Sequence, residues 1–96
     1  MAKHILIILG HPDPRPERFC RALAEAYHAG ATESGHDIAI IDVGRLDFSA
    51  LKSRAEWEAP IPDSLRVSQE AIAWAEHLVI FFPLWLGTMP ALLKAF

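Results

Sequence analysis

Five consecutive aliphatic residues, Ile5-Leu6-Ile7-Ile8-Leu9, stand between a polar start and Gly10. Apolar character on successive positions fills both faces of a strand, which predicts the central strand of a parallel sheet covered on each side. The period then lengthens. Phe19, Ala22, Leu23, Ala26, Tyr27 and Gly30 fall at helical spacing and form one stripe, predicting a helix over residues 17–33 that packs through that stripe. Pro16 suits its first turn, and Gly35 suits a left-handed stop behind it. A second strand is expected at Asp37–Asp42, bounded by acids as edge strands often are.

Residues 43–62 carry no clear period. A connection this long is often functional or part of an interface. Its Leu46, Phe48, Leu51 and Trp57 are expected to fold down onto the body of the protein. A helix capped by Asp63 or Ser64 should follow and run to Glu76, with Leu65, Ser68, Ile72 and Ala75 along one side. Leu78-Val79-Ile80-Phe81-Phe82 reads as a third strand, apolar on both faces. Residues 89–96 open a further helix with Pro90 near its first turn.

This alternation means an α/β fold with a parallel sheet and right-handed crossovers. With strand order 2-1-3, ligands are expected beyond the carboxyl ends of strands 1 and 3, beside the switch point. Two loops therefore matter most, residues 10–18 and 83–89. The first leaves a strand and opens a helix, so backbone amides and the helix dipole would meet an anion there. Arg15 and Arg18 add positive charge beside it. An ordinary turn with solvated arginines is the alternative. Neither G-x-G-x-x-G nor the G-x-x-x-x-G-K-[ST] phosphate loop is present. The second loop, Pro83-Leu84-Trp85-Leu86-Gly87-Thr88-Met89, could hold a flat heteroaromatic ring, or could pack on a neighbouring subunit.

Composition narrows the classes. The chain has 96 residues, 52% hydrophobic and 22% charged, which is globular composition and room for one small domain. A net charge of −3 without a basic run gives no nucleic-acid footprint. No apolar run reaches the length of a membrane span. Cys20 is a single cysteine, which fits a reduced, cytoplasmic setting, and its place near a helix start could lower its pKa. Asp42, Asp47 and Glu56 are expected to be solvated.

The strand followed by Gly10-His11-Pro12-x-Pro14, Phe19 and Ala22-Leu23, then Phe82-Pro83-Leu84-Trp85 and Met89-Pro90-Ala91-Leu92-Leu93-Lys94-Ala95-Phe96, resembles the flavodoxin-like NAD(P)H:quinone reductases. That group includes the modulators of drug activity and the ancillary oxidoreductases of potassium-efflux channels. The resemblance implies a three-layer flavodoxin-like sandwich and a bound flavin, FMN or FAD. It implies hydride transfer from NAD(P)H through the flavin to a quinone or similar acceptor, in a homodimer. By motif, His11, Arg18, Phe19 and Cys20 take the phosphate-loop positions; Pro83, Leu84, Trp85, Leu86 and Gly87 lie beside the ring. No catalytic acid or base is assigned, because the chemistry belongs to the cofactor.

Many members carry serine and asparagine where this chain has Arg18 and Cys20, so Arg18 would supply the phosphate contact. The family also continues through two more strands and helices. Residues 1–96 are therefore expected to be the N-terminal part of a single domain, with the third strand left as a bare apolar edge. Two alternatives stay open. One is a non-catalytic flavin-binding subunit that docks on a partner. The other is a zinc-dependent deacetylase, since His11-Pro12-Asp13 is similar to the His-Pro-Asp-Asp start of sugar and mycothiol deacetylases. Pro14 stands where their second aspartate belongs, so no metal ligands are assigned.

Overall fold

The computed structural model describes residues 2–13, 15 and 19–96. β1 (His4–Leu9) leads to α1 (Phe19–Glu33), β2 (Asp37–Asp42) and a 3-10 turn (Val43–Arg45). Then come α2 (Arg54–Glu58), α3 (Asp63–Trp74), β3 (His77–Phe81) and α4 (Ala91–Ala95). The strands lie in the order β2-β1-β3, and both pairings are parallel. The expected α/β sheet with β1 at its centre is what forms.

β1 is buried from Ile5 to Leu9, with Leu6 and Ile7 wholly enclosed. Its alternate side chains feed two cores. Leu6 and Ile8 join Ile41, Val43 and Leu93 on one face, with Ala71 and Ala75 packed against them. Ile7 and Leu9 join Ala24 on the other, where Tyr27 meets Phe81 edge-on at 6.0 Å. That places α1 on one side of the sheet, and α3 and α4 on the other.

The face of α1 differs from the expected stripe. Phe19 is 75% exposed and Leu23 42%, whereas Cys20, Arg21 and Ala24 are buried. Small side chains at Cys20 and Ala24 let the helix approach the sheet closely, and this packing outweighs the larger apolar residues one position away. Arg21 tolerates burial because Asp42 receives its guanidinium. The helix stops as expected: Gly35 has φ +87°, Gly35 N–H bonds Thr32 O and His36 N–H bonds Ala31 O. This double closure needs a left-handed residue, which glycine adopts without strain.

Within residues 43–62, Leu46 and Phe48 do pack on the core, but Leu51 and Trp57 remain exposed. α2 also sits there. Ser53 Oγ accepts from Glu56 N–H at 3.2 Å, and the Glu56 carboxylate accepts from Lys52 N–H at 2.7 Å. Glu56 is thus a helix cap rather than an idle surface charge. β3 is an edge of the described sheet, with Leu78 and Ile80 exposed by 46% and 48%.

Two substitutions test the roll of α1. Ala24→Leu should destabilise the fold by about 1–3 kcal/mol through overpacking. Leu23→Ala should stay within roughly 0.5 kcal/mol of the parent, as a surface change does. Urea melts read both, and the reverse ranking would restore the larger stripe as the packed face.

Candidate functional site

The carboxyl ends of β1 and β3 are joined at their roots, where Gly10 N–H donates to Phe81 O at 2.7 Å. The two loops that leave them are therefore neighbours from their first residue. They meet again further out: the His11 and Trp85 rings contact edge-to-face, 5.6 Å apart and at 84°.

The His11 ring is oriented by the turn that follows it. Its Nδ1 accepts from Asp13 N–H at 3.0 Å, so the neutral ring carries its proton on Nε2 and presents that edge as a donor. Asp13 is fixed in turn. Its carboxylate accepts from Arg15 N–H at 3.0 Å and from the Arg15 guanidinium at 2.7–3.1 Å. Those bonds, the backbone one first, hold the Asp13 carboxyl below its ordinary 3.8. The Arg15 charge is engaged with Asp13, so the arginine expected to add to an anion site is largely spent locally. The two groups that the zinc-dependent alternative would use, His11 and Asp13, bond within this turn through the His11 Nδ1 and the Asp13 carboxylate. Among the described residues no group of three or more His, Cys, Asp or Glu side chains gathers to hold a metal ion.

At the start of α1, Phe19 points outward, while the Cys20 side chain is buried. Burial pushes the Cys20 thiol up from its ordinary 9.0, opposite to the lowering expected from its place in the helix. Only the backbone of Cys20 can face the loop. Arg18, with Pro14, Pro16 and Glu17, lies outside the described residues.

The β3 loop forms a hairpin. Trp85 N–H donates to Thr88 O at 2.8 Å and Thr88 N–H to Trp85 O at 3.0 Å. Between them Leu86 has φ +50° and Gly87 φ +80°, the backbone of a type I′ turn. Glycine suits the second position. Leucine at the first is strained, and its side chain is fully exposed at 104%. Leu84 and Trp85 are exposed beside it, and Pro83 is half-buried at the root. Pro83, Leu84, Trp85, Leu86 and Gly87 thus form one largely apolar projection whose Trp85 ring meets His11, and Phe19 is exposed at the start of α1.

One interaction at this end of the sheet was misjudged from sequence. Asp42 is not solvated: it accepts both Nη atoms of Arg21 at 2.7 Å and Arg45 Nε at 3.0 Å. An arginine beside the inward positions of α1, followed by an aspartate closing the next strand, was the available signal.

The donor set suits a phosphate-bearing aromatic cofactor. The His11 Nε2–H and the amides opening α1 suit phosphate oxygens, and the apolar hairpin suits a ring.

The family profile Flavodoxin_2, described as a flavodoxin-like fold, matches residues 3–96. The chain belongs to this family. Among curated proteins, it is 27% identical over 110 residues to a ribosyldihydronicotinamide dehydrogenase-like protein of Penicillium crustosum. That match covers 94% of this chain and 40% of the fungal protein. It is also 27% identical over 95 residues to an uncharacterized NAD(P)H oxidoreductase of Haemophilus influenzae, covering 95% and 46% respectively. The solved NAD(P)H:quinone oxidoreductase from Methanothermobacter marburgensis superposes with a TM-score of 0.82 at 29% identity, covering 99% of this chain and 51% of that one. The chain spans about half the length of these flavodoxin-like relatives.

Two measurements follow from the site geometry. Leu86→Asn should raise stability by about 1 kcal/mol, because asparagine tolerates the left-handed conformation. An unchanged urea midpoint would mean the turn is not strained. For Cys20, iodoacetamide at pH 8 should react at least about tenfold more slowly with the folded chain than with the urea-unfolded one. Since the folded thiol ionises later than the unfolded one, its contribution to stability is full below pH 9.0 and is lost as pH rises beyond it.

Proposed function

We propose that this chain supplies the flavin-gripping part of an NAD(P)H:quinone oxidoreductase, with the flavin phosphate on the β1–α1 loop and the ring along the β3 hairpin. The observation that carries the reading is the His11–Trp85 contact, which brings a polar anchor and an apolar platform together at the switch point of the sheet. The names of the relatives support it: two are NAD(P)H oxidoreductases, one of them acting on quinones.

A bound flavin, FMN or FAD, supplies hydride transfer between NAD(P)H and a quinone-like acceptor. The residues of the chain bind and orient. His11 donates its Nε2–H to a phosphate oxygen and does not serve as a base, because its Nδ1 lone pair is occupied by Asp13 N–H. The amides opening α1 add to the same anion site, to which Arg18 is assigned by its place in the sequence. Leu84, Trp85 and Leu86 present apolar surface that displaces water from one side of the ring. The roles of Phe19 and of Gly87, whose positive φ keeps the hairpin tight, are steric.

Titration of the purified chain with FMN and FAD tests this, read by quenching of flavin fluorescence and by the visible spectrum. Saturable binding of at least one is expected. His11→Ala should weaken it by about 1.5–3 kcal/mol, the worth of a hydrogen bond to a charged group. Absence of binding to both flavins would sink the proposal.

A further inference from the structure

Both ends of the β1–α1 loop rest on one structure, the corner where β2 runs into the 3-10 turn. Asp42, the last residue of β2, pairs in register with Leu9, so it sits level with the root of the loop. Its carboxylate clamps Arg21, in the first turn of α1, through two bonds of 2.7 Å, with side-chain exposures of 17% and 9%. Arg21 Nε has no hydrogen-bond partner among the described residues, so the carboxylate is what compensates this buried cation. Two residues further on, Gly44 lies directly against the other end of the loop. A Cβ at Gly44 would stand 2.7 Å from His11 O and 2.8 Å from Pro12 O. The corner itself cannot yield easily, because Val43 is wholly buried among Leu6, Ile8, Ile41 and Leu93.

We infer that Asp42 and Gly44 are positioning residues for the phosphate end of the cofactor site, one fixing where α1 begins and the other fixing where His11 leaves the sheet. The inference rests on the flavin reading above. It assigns a task to residues that touch no ligand: they set the span between the His11 Nε2–H and the first amides of α1, and an anion fits only one such span. Gly44 is the sharper case. Any side chain there must displace two backbone carbonyls, and with them the Asp13 N–H bond that fixes the His11 ring.

The experiment compares FMN with riboflavin, which lacks the phosphate, in the full chain and in Gly44→Ala, Asp42→Asn and Gly30→Ala. Gly30 is the control, since a Cβ there meets nothing within 4 Å. Gly44→Ala and Asp42→Asn should each lower the FMN-to-riboflavin affinity ratio about tenfold, as displacement of a binding group by a fraction of an ångström does. Gly30→Ala should leave it unchanged. A general loss of stability would weaken both ligands alike and leave the ratio where it was. Long-range proton–nitrogen spectra of His11 give a second readout. The parent should show the Nε2–H form alone, and Gly44→Ala a mixture of both tautomers. An unchanged ratio together with an unchanged His11 spectrum would overturn the inference. If Gly44→Ala does not fold, the Asp42→Asn ratio decides. If the parent binds neither ligand, the flavin reading has failed, and the positioning role stands or falls on the His11 spectrum.

Discussion

Leu6 and Ile7 point to opposite faces of β1, and neither reaches solvent. Enclosing two successive side chains of one strand requires a covered sheet with a neighbour on each side, and every other element is arranged around meeting that requirement. β2 and β3 pair with β1 in parallel. Parallel pairing forces the chain to cross from one end of the sheet to the other, which α1 and α3 accomplish on opposite faces. Burying about two such aliphatic side chains contributes several kcal/mol, roughly 1.5–3 each. That is a large fraction of the margin a small domain has.

The same constraint places the site. Because β1 lies between its neighbours, the loops leaving β1 and β3 emerge side by side, and the bond from Gly10 N–H to Phe81 O fixes their separation at the root. From that shared root the His11 and Trp85 rings reach one another. The two loops bring different chemistry to that meeting: the first contributes donors and a helix start, the second contributes apolar surface on a strained turn. Leu93 of α4 packs on Gly10, where a Cβ would stand 2.6 Å from its methyl group, so the far helix also bears on this junction.

The strands and their order were legible because their apolar runs are continuous and a βαβ pattern leaves few topologies open. The adjacency of the loops leaving β1 and β3 followed from that order alone. What escaped the sequence was decided by contacts between distant residues. The face of α1 was read from side-chain size, yet Cys20 and Ala24 pack because they are small and Arg21 because Asp42 awaits it. Asp42 looked like an edge charge until the strand register set it against α1. α2 had a local signal, Ser53 with Glu56 three residues on, that periodicity does not detect. Leu86-Gly87 is an unusual pair for a type I′ turn, so the hairpin could not be read from composition. Gly44 carried no sign of its role, since close approach to His11 and Pro12 exists only once the sheet has formed.

The register of the sheet has a consequence for how the chain assembles as it is made. Leu6 pairs on one side with Ala39 and on the other with Leu78. A ribosome delivers β1, α1 and β2 before β3, so β1 can pair with one neighbour before the second exists. During that interval its other edge offers unpaired amides flanked by aliphatic side chains, the kind of surface that chaperones and like segments bind. β3 closes it, and is itself an apolar edge of the described sheet. A slower passage through residues 43–76 would lengthen the time in which β1 can have only one neighbour.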